Sequence, residues 1–503
     1  MTWIARPCGW ISAHRRGAAL TAGAGFLLSG LFNPLGVGAQ ENRTGIDPET
    51  WTPEYISSIA GTLDEVDTAG ECSEVVPLDY EGRVTYWYVG PTEAQPELEH
   101  KMHADFWAAF AETYPNIEVD AQSIGYNDLL NKLRTAALGN AAPMVARLPI
   151  LWGVEFAAKG QLTELGPEDV GYSNEEFWPG AMKSVTWDGT TYGVPTNNET
   201  MAFIWNAGIF EEAGLDPEKA PETWEDVVAY SKKIKDKTGK NGYGLVARVN
   251  AGNTPFRFMP KMWAQGGGAL DEAEPNPEYN QIMVDNEGSQ KALQLAYDMY
   301  VRDQSVPVSA LTNTQTENQD PFIAGQLAMV IAHPSEYASM VDRAAQATGD
   351  DKAAAEAVVN NMRYGLIPKG DERRAVVFGG SNIHMFNPDN IDGELDRQAA
   401  LALICFHTGP EWSTKISWVS SNPGNVRGFE TEWMKERLET IKFLDVSTSM
   451  LPNGVPFPVI PESPEIMNII IPEMIQNALT EKMSVEEATA DAEQKIQSLL
   501  DGF

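Results

Sequence analysis

The stretch Thr196-Asn197-Asn198-Glu199-Thr200 sets two amides, a carboxylate and two hydroxyls between an apolar run that ends at Pro195 and another that begins at Met201. Polar groups flanked in this way are buried along with their neighbours. Burial costs free energy unless each group finds a hydrogen-bond partner. The partners are either other groups of the protein, in a hinge or cap, or a bound ligand. Several other residues have the right chemistry for ligand contact. Trp87 and Tyr88 close an alternating run just before Gly90, Trp152 follows Pro149, and Trp263 precedes the glycine run at 266–268. Aromatic side chains at such places offer flat platforms, with core packing as the alternative for each. The Gly379-Gly380-Ser381-Asn382 segment can present backbone N–H groups, because glycine lets another chain or a ligand approach closely.

Catalytic signatures are poor. His100 and His103 share a helical spacing, but no carboxylate-rich metal pattern surrounds them, so they read as a solvated face. There is no Gly-x-Ser-x-Gly elbow, phosphate loop or dinucleotide fingerprint in the sequence. With 71 Asp and Glu in the chain, a glycosidase-like carboxylate pair carries little information. The expectation is a non-enzyme that needs no cofactor and no metal.

Residues 1–39 contain no Asp or Glu, and Arg6, Arg15 and Arg16 precede an apolar stretch from Gly17 to Leu35. Val37-Gly38-Ala39 supplies a small-x-small site, so this segment reads as a signal peptide cut near Ala39, by the general or the twin-arginine route. The product is a free protein of the periplasm. Residues 40–503 carry 33 basic and 71 acidic side chains, a net charge of −38. Such a surface argues against nucleic acid and anionic membranes as partners. Cys72 and Cys405 remain after cleavage. An oxidising compartment permits a disulfide, while the apolar setting of Cys405 in "ALALICFHTG" suits a buried free thiol, so both states stay open.

These groups need elements to hold them. "GRVTYWYVG" alternates as a strand, 97–114 has helical spacing, "NIEVDAQSIG" is a second strand, "YNDLLNKLRTAALGN" a second helix and "PMVARLP" a third strand. That order implies a parallel α/β layer. Thr223 begins a capping box, Thr-Trp-Glu-Asp, ahead of a helix over 224–237. Further helices are expected at 289–303, near 320–325, through 344–360 and in "SVEEATADAEQKIQSLL". Residues 40–81 are turn-rich and acidic, with one short helix near Trp51–Tyr55, and read as an extension on the surface. A chain of this length divides into two lobes. In open α/β sheets ligands sit at the carboxyl ends of strands, which gathers the loops after Tyr88, Pro149, Thr196 and Phe378 at one cleft.

The chain resembles the bacterial extracellular solute-binding proteins of ABC importers, family 1, in the group that holds the maltose- and other sugar-binding proteins. The resemblance lies in the block from Glu199 to Asn206 continued by "AGIFEEAGLDPEKAPETWEDVVAYSKKI", and in Phe322, Gly325, Ala328 and Met329. It also lies in Ala157, Gly160, Leu162 and Leu165, and in Gly379-Gly380 with Ala402, Phe406 and Gly409-Pro410-Glu411. Two positions depart from the pattern: Met144 stands where an Asp is usual, and His333-Pro334-Ser335 replaces a segment that ends in a stacking Trp.

The resemblance implies an α/β fold with two lobes of the periplasmic-binding-protein type (type II-like), joined by crossing hinge segments. The first lobe is then 82–197 with 362–425, and the second 198–361 with 426–503. It implies a monomer that captures a sugar or oligosaccharide and passes it to membrane permease subunits. The candidate contacts are Trp87, Tyr88, Glu93, Trp152, Asn197, Asn198, Glu199, Trp263, Glu336, Tyr337, Gly379, Gly380, Ser381, Asn382 and Arg427, with Tyr337 replacing the missing stacking Trp. A glycerol phosphodiester or other small polar solute is the alternative ligand, with Arg147 or Arg427 as its fork. A secreted glycoside hydrolase or lyase is the rival class.

Overall fold

The computed structural model describes residues 67–502 apart from 92–96, 151, 251–252, 272–280 and 418–420. The proposed signal peptide, the short helix near Trp51–Tyr55 and Glu93 lie outside these residues. Among the described residues, no helix is long and apolar enough to cross a membrane.

The chain enters with helix α1 (Thr68–Val75), then strand β1 (Gly82–Tyr88), α2 (Glu97–Thr113), β2 (Ile117–Ser123), α3 (Tyr126–Leu138), β3 (Val145–Pro149) and α4 (Trp152–Ala158). The alternation read from "GRVTYWYVG" holds, with Val84 and Tyr86 buried on one face. β4 (Val194–Glu199) and β5 (Ala202–Asn206) follow, then α5 (Trp224–Thr238), β6 (Asn241–Tyr243), α6 (Asn253–Ala264), α7 (Gln315–Ile323) and β7 (Leu327–Ala332). α5 starts at the expected capping box. Thr223 Oγ1 accepts from the Asp226 N–H at 3.1 Å, and the Asp226 carboxylate accepts from the Thr223 N–H at 3.0 Å. The helix expected through 344–360 is two helices, α8 (Pro334–Gln346) and α9 (Asp350–Asn361), parted at Gly349 with φ 62°. β8 (Met362–Gly365), β9 (Gly379–Met385), α10 (Arg397–Thr408), β10 (Asn422–Pro423) and the C-terminal α11 (Val485–Leu500) complete the elements needed here.

Two main sheets result. One runs β10-β4-β9-β3-β1-β2 and the other β8-β5-β7-β6. β1, β2 and β3 are parallel, whereas β9 is antiparallel to β3 and β4, so the first sheet is mixed rather than all-parallel. Each sheet has its own apolar core, the first around Val84, Phe106, Leu148 and Phe406, the second around Phe203, Trp224, Tyr243 and Met329. The chain leaves the first sheet between Glu199 and Ala202. Its return was expected at Met362. β8, however, pairs with β5 in the second sheet, and the first sheet resumes only at Gly379. The Met-Arg-Tyr run extends because it completes the edge of the second sheet, not because it crosses.

Part of the expected surface extension is also corrected. Thr68, Cys72 and Val76 are fully buried, and the Tyr114 hydroxyl donates to the Cys72 carbonyl at 3.0 Å. Cys72 and Cys405 form a disulfide, with their Cα atoms 5.8 Å apart, that fastens α1 to α10. Of the two states left open by the sequence, the paired one is present.

Candidate functional site

The polar knot is largely satisfied from within the protein. Arg147, near the carboxyl end of β3, donates from Nε to Thr196 Oγ1 at 3.0 Å and from Nη2 to Asn197 Oδ1 at 2.6 Å. Asn197 Nδ2 donates to Ser421 Oγ at 3.0 Å, and Asn198 Nδ2 to the Pro423 carbonyl at 3.1 Å. Thr196 Oγ1 donates to the Ser381 carbonyl at 2.8 Å, and Thr200 Oγ1 to the Ser447 carbonyl. Asn197 and Asn198 are buried, the latter completely. The knot ties neighbouring strands together at the crossing through its amide nitrogens, while the buried Asn198 Oδ1 has no partner among the described residues.

Glu199 is also under-satisfied. Its Oε1 lies 3.4 Å from Asn197 Nδ2 and its Oε2 3.5 Å from His333 Nδ1, both longer than a charge-assisted hydrogen bond of about 2.7–2.9 Å. The side chain is 26 % exposed. Burial pushes its carboxyl up to about 7; Arg147 pulls it down, while Glu99 and Glu336 push it further up. A carboxylate so placed is ready to accept hydrogen bonds from outside the chain.

The surroundings of Glu199 come from both lobes. Gly379 pairs with Glu199 across β9 and β4. A Cβ on Gly380, at φ 132°, would sit 2.0 Å from the Asn197 carbonyl oxygen, so only glycine permits this approach of strands. Tyr126 and Trp152 begin α3 and α4, and their rings lie 5.1 Å apart at 50°. Tyr126 is half exposed, yet enclosure of its hydroxyl and then the Glu199 charge push its pKa up to about 12. Tyr88 stacks on Tyr86 at 5.0 Å and on His103 at 6.0 Å. Glu99 is buried, and its carboxyl is raised by that burial against the pull of Arg147. His100 is exposed as expected, whereas His103 is half-buried against the Tyr88 ring, and burial, then Arg147 and His100, lower it to about 4. From the second lobe come His333, which precedes α8, and Phe256 on α6, whose rings meet edge to face at 5.4 Å. Burial and the nearby Arg257 hold the His333 imidazole neutral, well below its usual range.

The predicted contacts therefore divide. Tyr88 ends β1, Trp152 begins α4, Glu199 ends β4 and Gly379, Gly380 and Ser381 open β9, and only partial burial leaves Tyr88, Trp152, Glu199, Gly380 and Ser381 accessible. Trp87 points to the opposite face of β1, where Lys132 Nζ sits 4.3 Å above its ring. Trp263 is fully buried in the second core, 6.1 Å from Phe457. Tyr337 is half-buried, with its ring stacked on Phe443 at 4.7 Å and 11°. Glu336 pairs with Arg257 and accepts from the His333 backbone N–H at 2.8 Å, as a helix cap. Asn382 is buried and donates to Ser184 Oγ at 3.0 Å. Arg427 is spent on Glu71 at 2.8 Å and Glu176 at 3.4 Å, bracing α1. Tyr126, Glu99, His333 and Phe256 were not singled out. The helix starts after β2 and β7 are the signal that points to Tyr126 and His333.

The model of the bacterial extracellular solute-binding protein family matches residues 95–387, more than half of the chain. A binding protein of Brucella abortus (strain 2308) is 23 % identical over 400 residues, which span 78 % of this chain and 88 % of that protein. Among solved structures, the GacH receptor of Streptomyces glaucescens, studied unliganded and with acarbose, superposes with a TM-score of 0.66 at 23 % identity, covering 84 % of this chain and 100 % of the receptor. UgpB of Mycobacterium tuberculosis, in complex with glycerophosphocholine, gives 0.67 at 17 % identity, covering 84 % and 99 %. The fold is thus the two-lobed α/β fold of binding proteins, and the chain belongs to the bacterial extracellular solute-binding protein family, as the solute-binding component of an ABC transporter and not an enzyme.

Proposed function

We propose that the cleft at the crossing captures a neutral carbohydrate in the periplasm and delivers it to membrane permease subunits. The observation that carries this reading is the Tyr126–Trp152 ring pair beside the under-satisfied Glu199 carboxylate. Sugars present C–H faces to aromatic rings and hydroxyl donors to carboxylates, and this site offers both acceptor types. The lobes, one built on each sheet, close over the ligand about the crossings, and residues 1–39 direct export.

A glycerol phosphodiester is the second reading, supported by Arg147 in the cleft wall and by the glycerophosphocholine-bound neighbour. The charges that act on Glu199 weigh against it. Arg147 is set against Glu99 and Glu336, and two of its nitrogens already serve Thr196 and Asn197. A phosphate needs cationic forks left over. A thermal-shift panel of maltotriose, acarbose, sn-glycerol 3-phosphate and glycerophosphocholine tests the choice. Stabilisation by an oligosaccharide and not by the phosphates is expected; stabilisation by the phosphates alone overturns the proposal.

A further inference from the structure

A small cavity lies at the carboxyl ends of β6 and β7 in the second lobe, lined by Gly244, Ala332, Arg257, Gln315, Asn318 and Glu336 among others. Its free volume of about 20 Å³ is room for one hydroxyl-sized group. Two atoms of its lining residues have no hydrogen-bond partner among the described residues, Arg257 Nε and Gln315 Oε1. Arg257 is 3 % exposed, so bulk water does not serve its Nε–H, and its Nη2 is taken by the Glu336 carboxylate. One orphan is a donor and the other an acceptor.

We propose that this cavity binds a single hydroxyl group that accepts a hydrogen bond from Arg257 Nε and donates one to Gln315 Oε1. The chemistry is selective. An ammonium ion has no lone pair with which to accept from the guanidinium. A halide has no proton for Gln315, and it would meet the Glu336 carboxylate. The hydroxyl comes from an ordered water or from an arm of the molecule held in the cleft. Its place gives it a role: Arg257 holds Glu336, Glu336 holds the His333 N–H, and the His333 ring faces Glu199. The occupant therefore fixes the far end of a line of contacts that reaches the cleft from the second lobe. The site does not depend on which solute the cleft takes.

High-resolution crystal structures of the full mature protein, ligand-free and soaked in maltotriose, test this. An isolated oxygen within hydrogen-bond distance of both Arg257 Nε and Gln315 Oε1 in the ligand-free crystals identifies water. A position filled only after soaking, in density continuous with the sugar, identifies the ligand arm. Either result supports the site. A cavity without an ordered oxygen in both crystals, or a Gln315 side chain turned to bond Arg257 directly, overturns it.

Discussion

Replacing Glu199 with Gln should make the protein more stable and a poorer binder at the same time. The folded-state carboxyl titrates at about 7 against an ordinary value of 4.5. A group whose pKa is raised on folding favours the folded state while protonated. Its contribution is complete below pH 4.5 and is lost as pH rises through 7. At 1.36 kcal/mol per unit, the shift corresponds to at most about 3.4 kcal/mol, and partial exposure of the side chain reduces this to about 2 kcal/mol. The glutamine side chain keeps the shape and carries no charge. At pH 8 the variant should therefore be about 2 kcal/mol more stable than the wild type. That is a rise of about 2 °C in Tm for a chain of this size. The two curves should converge as pH falls toward 4.5. In the same variant a sugar hydroxyl loses a charged acceptor, which costs about 1.5–3 kcal/mol of binding, or roughly tenfold to hundredfold in Kd. Scanning calorimetry from pH 4.5 to 8 and titration calorimetry at pH 8 measure both effects. A variant that is less stable than the wild type at pH 8, with affinity unchanged, would refute the reasoning, because Glu199 would then be a satisfied structural carboxylate.

Trp152→Ala should weaken sugar binding by about 1.5–3 kcal/mol with little change in Tm, since the ring is only partly buried; titration calorimetry reads the loss. Arg427→Ala should do the reverse, lowering Tm while leaving Kd intact, because its partners Glu71 and Glu176 are structural. Lys261 is fully buried, donates to the Arg257 carbonyl at 2.8 Å and lies 4.5 Å over the Trp224 ring, with burial lowering its pKa to about 7. Its folded value is depressed, so stability rises with pH from about 7 toward 10.5, and Lys261→Met should stabilise by about 1–3 kcal/mol at pH 7 and flatten that rise, seen by denaturant titration. Replacing Cys72 and Cys405 with Ser should cost about 2–4 kcal/mol, and the wild type treated with reductant should show the same drop in Tm.

Local order was readable because it is carried by local signals. The Thr223 capping box and the Val84–Tyr86 alternation each have causes within a few residues. Glu199 was identifiable as a carboxylate next to the crossing. What periodicity could not say is whether a buried polar group meets protein or ligand. The partners that Asn197 and Asn198 do find, Arg147, Ser421 and the Pro423 carbonyl, arrive from segments far along the chain. Trp263 is hidden for the same reason, since Phe457 closes over it from the C-terminal third. Tyr126 and His333 were not counted as contacts because each comes near Glu199 only when its helix start is brought there by the sheets. The disulfide was undecidable in sequence, as nothing local records that α1 lies against α10.

The most direct measurement is a crystal structure of the protein with the strongest stabiliser found in the thermal-shift panel. The account predicts a sugar ring against Tyr126 or Trp152, with one of its hydroxyls within hydrogen-bond distance of a Glu199 carboxylate oxygen. A phosphate held on Arg147, or a ligand seated away from Glu199, would contradict it.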